Sequence, residues 1–303
     1  MLRALAGIAR APFLLLAVVA SLNGIAAATW LPGETHWTHA GLALLAAVLA
    51  HVSVNSLNEY ADFRSGLDLH TVRTPFSGGS GVLPQRPEWA GAALAMGLVT
   101  LAATIGLGLY LVHVGGPAAL ALGLAGVVLV VAYTPWINRS PWLCLVAPGL
   151  GFGPVIVAGT GVVLLGHFDI RLLVAALPLF FLTNNLLLLN QFPDREADAD
   201  AGRRHLPIVA GTGISARVFA GFVVLSYASV MLAWGTGLLP VTALLALATL
   251  PLAIHVVRGA LKHHDQLEAL VPVLGQNVVL VLLTGGLLAA GLFWAGATGT
   301  PAA

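Results

Sequence analysis

The sequence predicts an all-α, polytopic membrane protein of about nine transmembrane helices. Hydrophobic residues fill 58% of the 303 positions and charged residues only 8%, against roughly one quarter in soluble domains. Mean hydropathy is +0.94. Apolar runs long enough to cross a bilayer, about 20 residues each, recur through the whole chain. The few charges cluster in the short segments between those runs, which excludes a general nucleic-acid-binding surface. The single cysteine, Cys144, can form no intramolecular disulfide; between Leu143 and Leu145 it reads as a small buried hydrophobe.

On the length rule the spans fall at 11–29, 40–57, 90–113, 117–135, 142–166, 171–190, 216–236, 238–257 and 272–295. The first opens with Pro12, two residues after Arg10, and the second runs into the polar stretch from Asn58. Only 114–116 separates the third span from the fourth. The fifth and sixth are parted by a polar segment that includes Asp169, and the sixth ends at Asn190. The seventh and eighth divide around Thr236 and Gly237, and the ninth follows the charged turn His263, His264, Asp265 and Glu268. Nine crossings put the termini on opposite sides.

Positive residues are retained on the cytoplasmic side of short loops. Twelve of the 13 basic residues fall on one side, with only Arg171 opposite. The N-terminus and the loops at 58–89 and 191–215 are therefore expected in the cytoplasm, and the protein in the cell (inner) membrane.

Seven of the 12 acidic residues crowd into two short stretches of those loops: Glu59, Asp62 and Asp68 in one, Asp194, Glu196, Asp198 and Asp200 in the other. Asn58 and Asp62 are spaced four apart, as are Asn190, Asp194 and Asp198, so a helix continuing out of the membrane aligns each set in one stripe. Pro193 interrupts the second stripe, and Ser65 and Gly66 offer a chain reversal that returns Asp68 towards the first. Carboxylate and amide oxygens suit magnesium, which is held by a few carboxylates together with substrate phosphates. Without a cysteine cluster or paired histidines there, zinc is not expected. Arg64, Arg73, Arg195, Arg203 and Arg204 stand around the stripes, and guanidinium groups suit bidentate phosphate contacts. Acid, metal and arginine together read as a diphosphate site.

NEYADFRSGLD at 58–68 and DREADADAG at 194–202 resemble the two aspartate motifs of the UbiA-type intramembrane prenyltransferases, and the likeness covers essentially the whole chain. The resemblance implies one membrane domain over 1–303, with helices around a central cavity capped by both aspartate loops. It further implies that Asn58, Asp62, Asp68, Asp194 and Asp198 organise Mg2+ and diphosphate, with the four aspartates catalytic. Substrate contacts are expected from Arg10, Arg64, Arg73, Tyr133, Arg139, Asn190, Arg203 and Arg204. RTPFSGGSG at 73–81 looks like the family's stretch after the first motif, where glycines let backbone groups approach phosphate. The implied partners are a polyprenyl diphosphate drawn from the bilayer and an aromatic acceptor.

The Asp62 to Asp68 spacing and FGPVIVAGT at 152–160 are similar to naphthoate prenyltransferases of menaquinone synthesis, so 1,4-dihydroxy-2-naphthoate is the expected acceptor. Hydroxybenzoate enzymes often carry a Tyr-x-x-x-Lys element; YTPWINR at 133–139 keeps Tyr133 but places Arg139 two positions late. Hydroxybenzoate, a porphyrin-type ring, a lipid acceptor or terpene cyclisation are the alternatives within the superfamily. A secondary transporter is the rival class, but its ion sites lie near the bilayer midplane, whereas these acidic residues gather at helix ends. Inside the spans, Asn184 and Asn185 are expected to bond neighbouring helices or face the cavity. His51 shares a face with Asn55 and Asn58 and is expected either to line the cavity or to hold a structural bond.

Overall fold

The computed structural model describes residues 1–71 and 73–301. Val72, Ala302 and Ala303, part of the expected 1–303 domain, lie outside the described residues. Every regular element among the described residues is helical. Eight helical stretches are long and apolar enough to cross a membrane. They are α1 (Ala11–Trp30), α2 (Trp37–Ser65), α3 (Pro87–Ala132), α4 (Pro141–Leu165), α5 (Ile170–Asn190), α6 (Gly211–Gly235), α7 (Val241–His263) and α8 (Leu267–Thr298).

The expected count of nine is recovered inside α3. Gly116 there adopts φ 65° and ψ −157°, a conformation open to glycine but not to a side chain, and Pro117 follows. Leu101 and Val130 line one groove, although a straight helix would hold them about 43 Å apart. The chain therefore reverses at Gly116 and crosses twice. The break expected near Thr236 is also present: α6 ends at Gly235, Gly237 takes φ 73°, and α7 starts in a tight 3-10 winding over Val241–Thr249.

Small residues let the helices approach closely, the packing mode that works where lipid removes any hydrophobic driving force between them. A Cβ on Gly24 of α1 would sit 2.3 Å from the Val157 carbonyl oxygen of α4. Asn23 on α1 donates to the Gly285 carbonyl of α8 at 2.9 Å. Helix α4 contains Pro148 and Pro154 and is π-wound over Gly151–Ala158. The Gly149 N–H donates to Asn184 Oδ1 of α5 at 2.6 Å, and Asn185 donates to the Phe219 carbonyl of α6 at 2.8 Å. Both asparagines thus bond neighbouring helices, as their place inside a span requires.

Helix α2 continues unbroken past the expected span end at residue 57 to Ser65, as the Asn58–Asp62 stripe requires, because emerging from the membrane does not break a helix whose polar residues can be solvated or paired. Gly66, at φ 82°, ends it. That extension carries Asn58, Glu59 and Asp62 as one rigid rod into the site.

Candidate active site

The two acidic loops meet at one end of the bundle around a cavity of about 170 Å³. Asp62 stands on the last turns of α2, and the turn at Gly66 brings Asp68 back on a short helix, Leu67–His70, to line the same cavity. Asp68 is 4% exposed. Helix α5 stops at Asn190, a turn containing Pro193 follows, and a new short helix spans Arg195–Asp200. A bond from the Asp198 N–H to the Asp194 carbonyl, 2.8 Å, keeps those two side chains in the expected stripe. Asp200 falls on the exposed side.

The glycine segment closes over these carboxylates. Gly78, at φ 78°, donates its N–H to Asp194 Oδ2 at 3.0 Å. Gly79, at φ 72°, lies so close to Asp68 that a Cβ would sit 2.9 Å from Oδ1. Backbone at positive φ pressed against carboxylates is a position only glycine fills without strain.

Arg203 bridges the motifs. Its Nη1 donates to Asp198 Oδ1 at 2.8 Å and its Nη2 makes a short bond to Asp62 Oδ1. Burial works against the guanidinium charge, but the facing carboxylates of Asp62 and Asp198 outweigh it and raise the pKa further. His205 Nε2 lies 2.7 Å from the second Asp198 oxygen. On the other flank Glu59, fully buried, accepts from Arg10 Nε at 3.0 Å, from the Ser80 N–H at 2.7 Å and from the Ser80 hydroxyl at 2.8 Å. Arg10 itself sits at φ 50°, the one non-glycine residue with positive φ among those described.

Three carboxylate or amide oxygens at this cavity are buried without a donor: Asp68 Oδ2, Asn190 Oδ1 and Asp194 Oδ1. Burial, reinforced by the charges of Glu59 and Asp62, pushes the Asp68 carboxyl up to about 7. Burial, reinforced by Asp198, pushes Asp194 to about 7 as well. Among the described residues no group of three His, Cys, Asp or Glu side chains could hold a metal alone. Magnesium is typically held by one or two carboxylates together with substrate phosphates. The orphaned hard oxygens fit such a cation.

Of the residues singled out from sequence, Arg10, Asn58, Asp62, Asp68, Tyr133, Asn190, Asp194, Asp198 and Arg203 line the cavity together. Arg64, Arg73, Arg139 and Arg204 do not, and all four are exposed. Arg64 follows Asp62 by two residues on one helix and so points to the opposite side. Arg73 packs its guanidinium over Gly81, and Arg204 follows the bridging Arg203 but turns outward. Glu59 and His205 were legible only as residues near the motifs, since their partners are set by loop geometry.

The sequence profile of the UbiA prenyltransferase family matches residues 14–271. The chain belongs to that family. As a UbiA-family protein it is an intramembrane prenyltransferase, an integral membrane enzyme that transfers prenyl groups. It is 26% identical over 297 residues to the 2-carboxy-1,4-naphthoquinone phytyltransferase of Synechocystis sp., covering 94% of this chain and 91% of that protein. Its fold is similar to that of a digeranylgeranylglyceryl phosphate synthase, with TM-score 0.65, 14% identity and 97% and 99% of the two chains covered. A UbiA homologue from Archaeoglobus fulgidus bound to GPP and Mg2+ aligns with TM-score 0.62 and 15% identity, over 94% and 99% of the chains.

Proposed function

We propose that this UbiA-family chain moves a polyprenyl group from polyprenyl diphosphate to 1,4-dihydroxy-2-naphthoate, with magnesium between the two aspartate motifs and the site facing the cytoplasm. The observation that carries the reading is the set of three buried, donor-less oxygens on Asp68, Asn190 and Asp194, in one cavity with Arg10 and Arg203. Asn58, Asp62 and Asp198 complete the donor set, and residues 1–303 act as one catalytic domain. Magnesium held there would neutralise the charge that collects on the leaving diphosphate. Arg10 and Arg203 supply guanidinium donors to the same anion. Tyr133 lines the cavity beside them. The basic-residue asymmetry supports the cytoplasmic placement.

Phe13, Leu16, Phe152, Leu186 and Leu187 also line the cavity and exclude water from the allylic carbon as its bond to oxygen breaks. The acceptor attacks through the ring carbon that bears its carboxylate. That carbon has no proton to lose, so carbon dioxide departs, its bonding electrons restore the aromatic ring, and diphosphate leaves with the electrons of the broken carbon–oxygen bond. The acceptor assignment is supported by the Asp62 to Asp68 spacing, by FGPVIVAGT at 152–160 and by the relative that acts on a naphthoquinone. Purified protein given magnesium, a polyprenyl diphosphate and a panel of acceptors is expected to yield prenylated, decarboxylated naphthalenediol by mass spectrometry. A preference for hydroxybenzoate, or a prenyl product formed with no aromatic acceptor, overturns the acceptor while leaving the diphosphate site standing.

The pH dependence of magnesium affinity follows from Asp68 and Asp194, both raised to about 7 by burial and neighbouring acids. Above that pH both are carboxylates ready for the cation. Below it magnesium must displace protons, so half-saturating magnesium rises as pH falls, by roughly tenfold per pH unit for each proton displaced. Titrations of activity against magnesium at about pH 6 and about pH 8 measure this; equal values at both would contradict it.

A further inference from the structure

The membrane-embedded end of the same cavity holds two polar groups that the diphosphate site does not use. His51 on α2 is 7% exposed and Thr183 on α5 is 2% exposed, and both line the cavity. His51 Nδ1 and Thr183 Oγ1 are both buried without a hydrogen-bond partner. An unpaired polar atom buried in a membrane helix is costly, so a pair of them lining one cavity points to a ligand that pairs with both. Each stands two helical turns before the asparagine of its own motif, Asn58 or Asn190, which is about 10 Å along the axis. That distance leaves room for a two-ring aromatic between these groups and the diphosphate end. Aromatic walls are present: Phe13 and Phe152 line the cavity, and the Phe152 ring meets His51 edge to face at 4.9 Å. A prenyl chain offers no hydrogen bond to either atom, whereas a hydroxylated ring offers one to each.

Resting on the prenyl-transfer reading above, we propose that His51 Nδ1 and Thr183 Oγ1 bind the hydroxyl groups of the aromatic acceptor and hold its ring between Phe13 and Phe152. Both are binding residues for the acceptor, separate from the groups that hold the donor.

The test uses the full chain in detergent. Wild-type turnover with polyprenyl diphosphate and 1,4-dihydroxy-2-naphthoate first establishes the reaction; absence of turnover there defeats the functional reading and not the subsite. Equilibrium binding of 1,4-dihydroxy-2-naphthoate alone, without donor, is then compared for wild type, His51→Phe, which keeps an aromatic ring against Phe152, and Thr183→Val. Each variant is expected to weaken that binding on the order of tenfold and to raise the acceptor KM in step, while the donor KM stays within about twofold. Unchanged acceptor binding in both folded variants overturns the proposal. A rise in donor KM with acceptor binding intact also overturns it and gives this end of the cavity to the prenyl chain.

Discussion

Asparagine in place of Asp194 lowers prenyl transfer on the order of 10²- to 10³-fold while the protein stays folded in detergent. Asp194 joins the glycine segment through the Gly78 N–H, which the amide oxygen of asparagine can still accept. Its second oxygen has no donor in the structure, so replacing it with an NH2 group breaks no internal bond. What is lost is one negative charge facing the cavity that Asp62, Asp68 and Asp198 also line. The fold should therefore tolerate Asp194→Asn far better than the chemistry does. Initial rates at saturating magnesium, beside a thermal melt, separate the two; a variant within about fivefold of wild type would remove Asp194 from the proposed mechanism.

Arg203→Ala should lower stability as well as turnover. The Arg203 guanidinium is the shared counter-charge of Asp62 and Asp198, whose side chains are 9% and 3% exposed. Removing one partner of a buried ionic cluster leaves the others uncompensated, which costs about 3–5 kcal/mol. Combining Arg203→Ala with Asp198→Asn should return part of that loss, because one stranded charge goes with it. Denaturation midpoints of the two variants in one detergent decide the matter. Equal midpoints for wild type and Arg203→Ala would show that the bridge adds nothing to the fold.

The membrane architecture was readable because hydropathy over a span is a sum, insensitive to any single residue. Even the reversal at Gly116 fell in the gap drawn between two expected spans. That Asn58 with Asp62, and Asp194 with Asp198, would each share a face was readable because each pair lies at helical spacing, and helical spacing is geometry. Asp68 depended on a turn, and Gly66 supplied it. Arginine was harder, since nearness in sequence says nothing about direction. Arg203 turns inward to Asp62, 141 residues away, while its neighbour Arg204 turns out. Glu59 and His205 belong to the same class: their partners are fixed by how loops fold over one another. The π-winding of α4 and the 3-10 start of α7 have no hydropathy signature, and hydropathy was the signal that located those spans.

The bond between Asn184 and the Gly149 backbone bears on how the chain reaches its place in the membrane. The Gly149 N–H finds its acceptor on the side chain of Asn184, in the following helix. Alone in hydrocarbon, α5 would carry the Asn184 side-chain oxygen without a donor, a cost relieved once α4 lies beside it. The fifth helix therefore gains its full stability in lipid only against the fourth, which is made before it, so the order of synthesis becomes part of how the catalytic chamber is assembled.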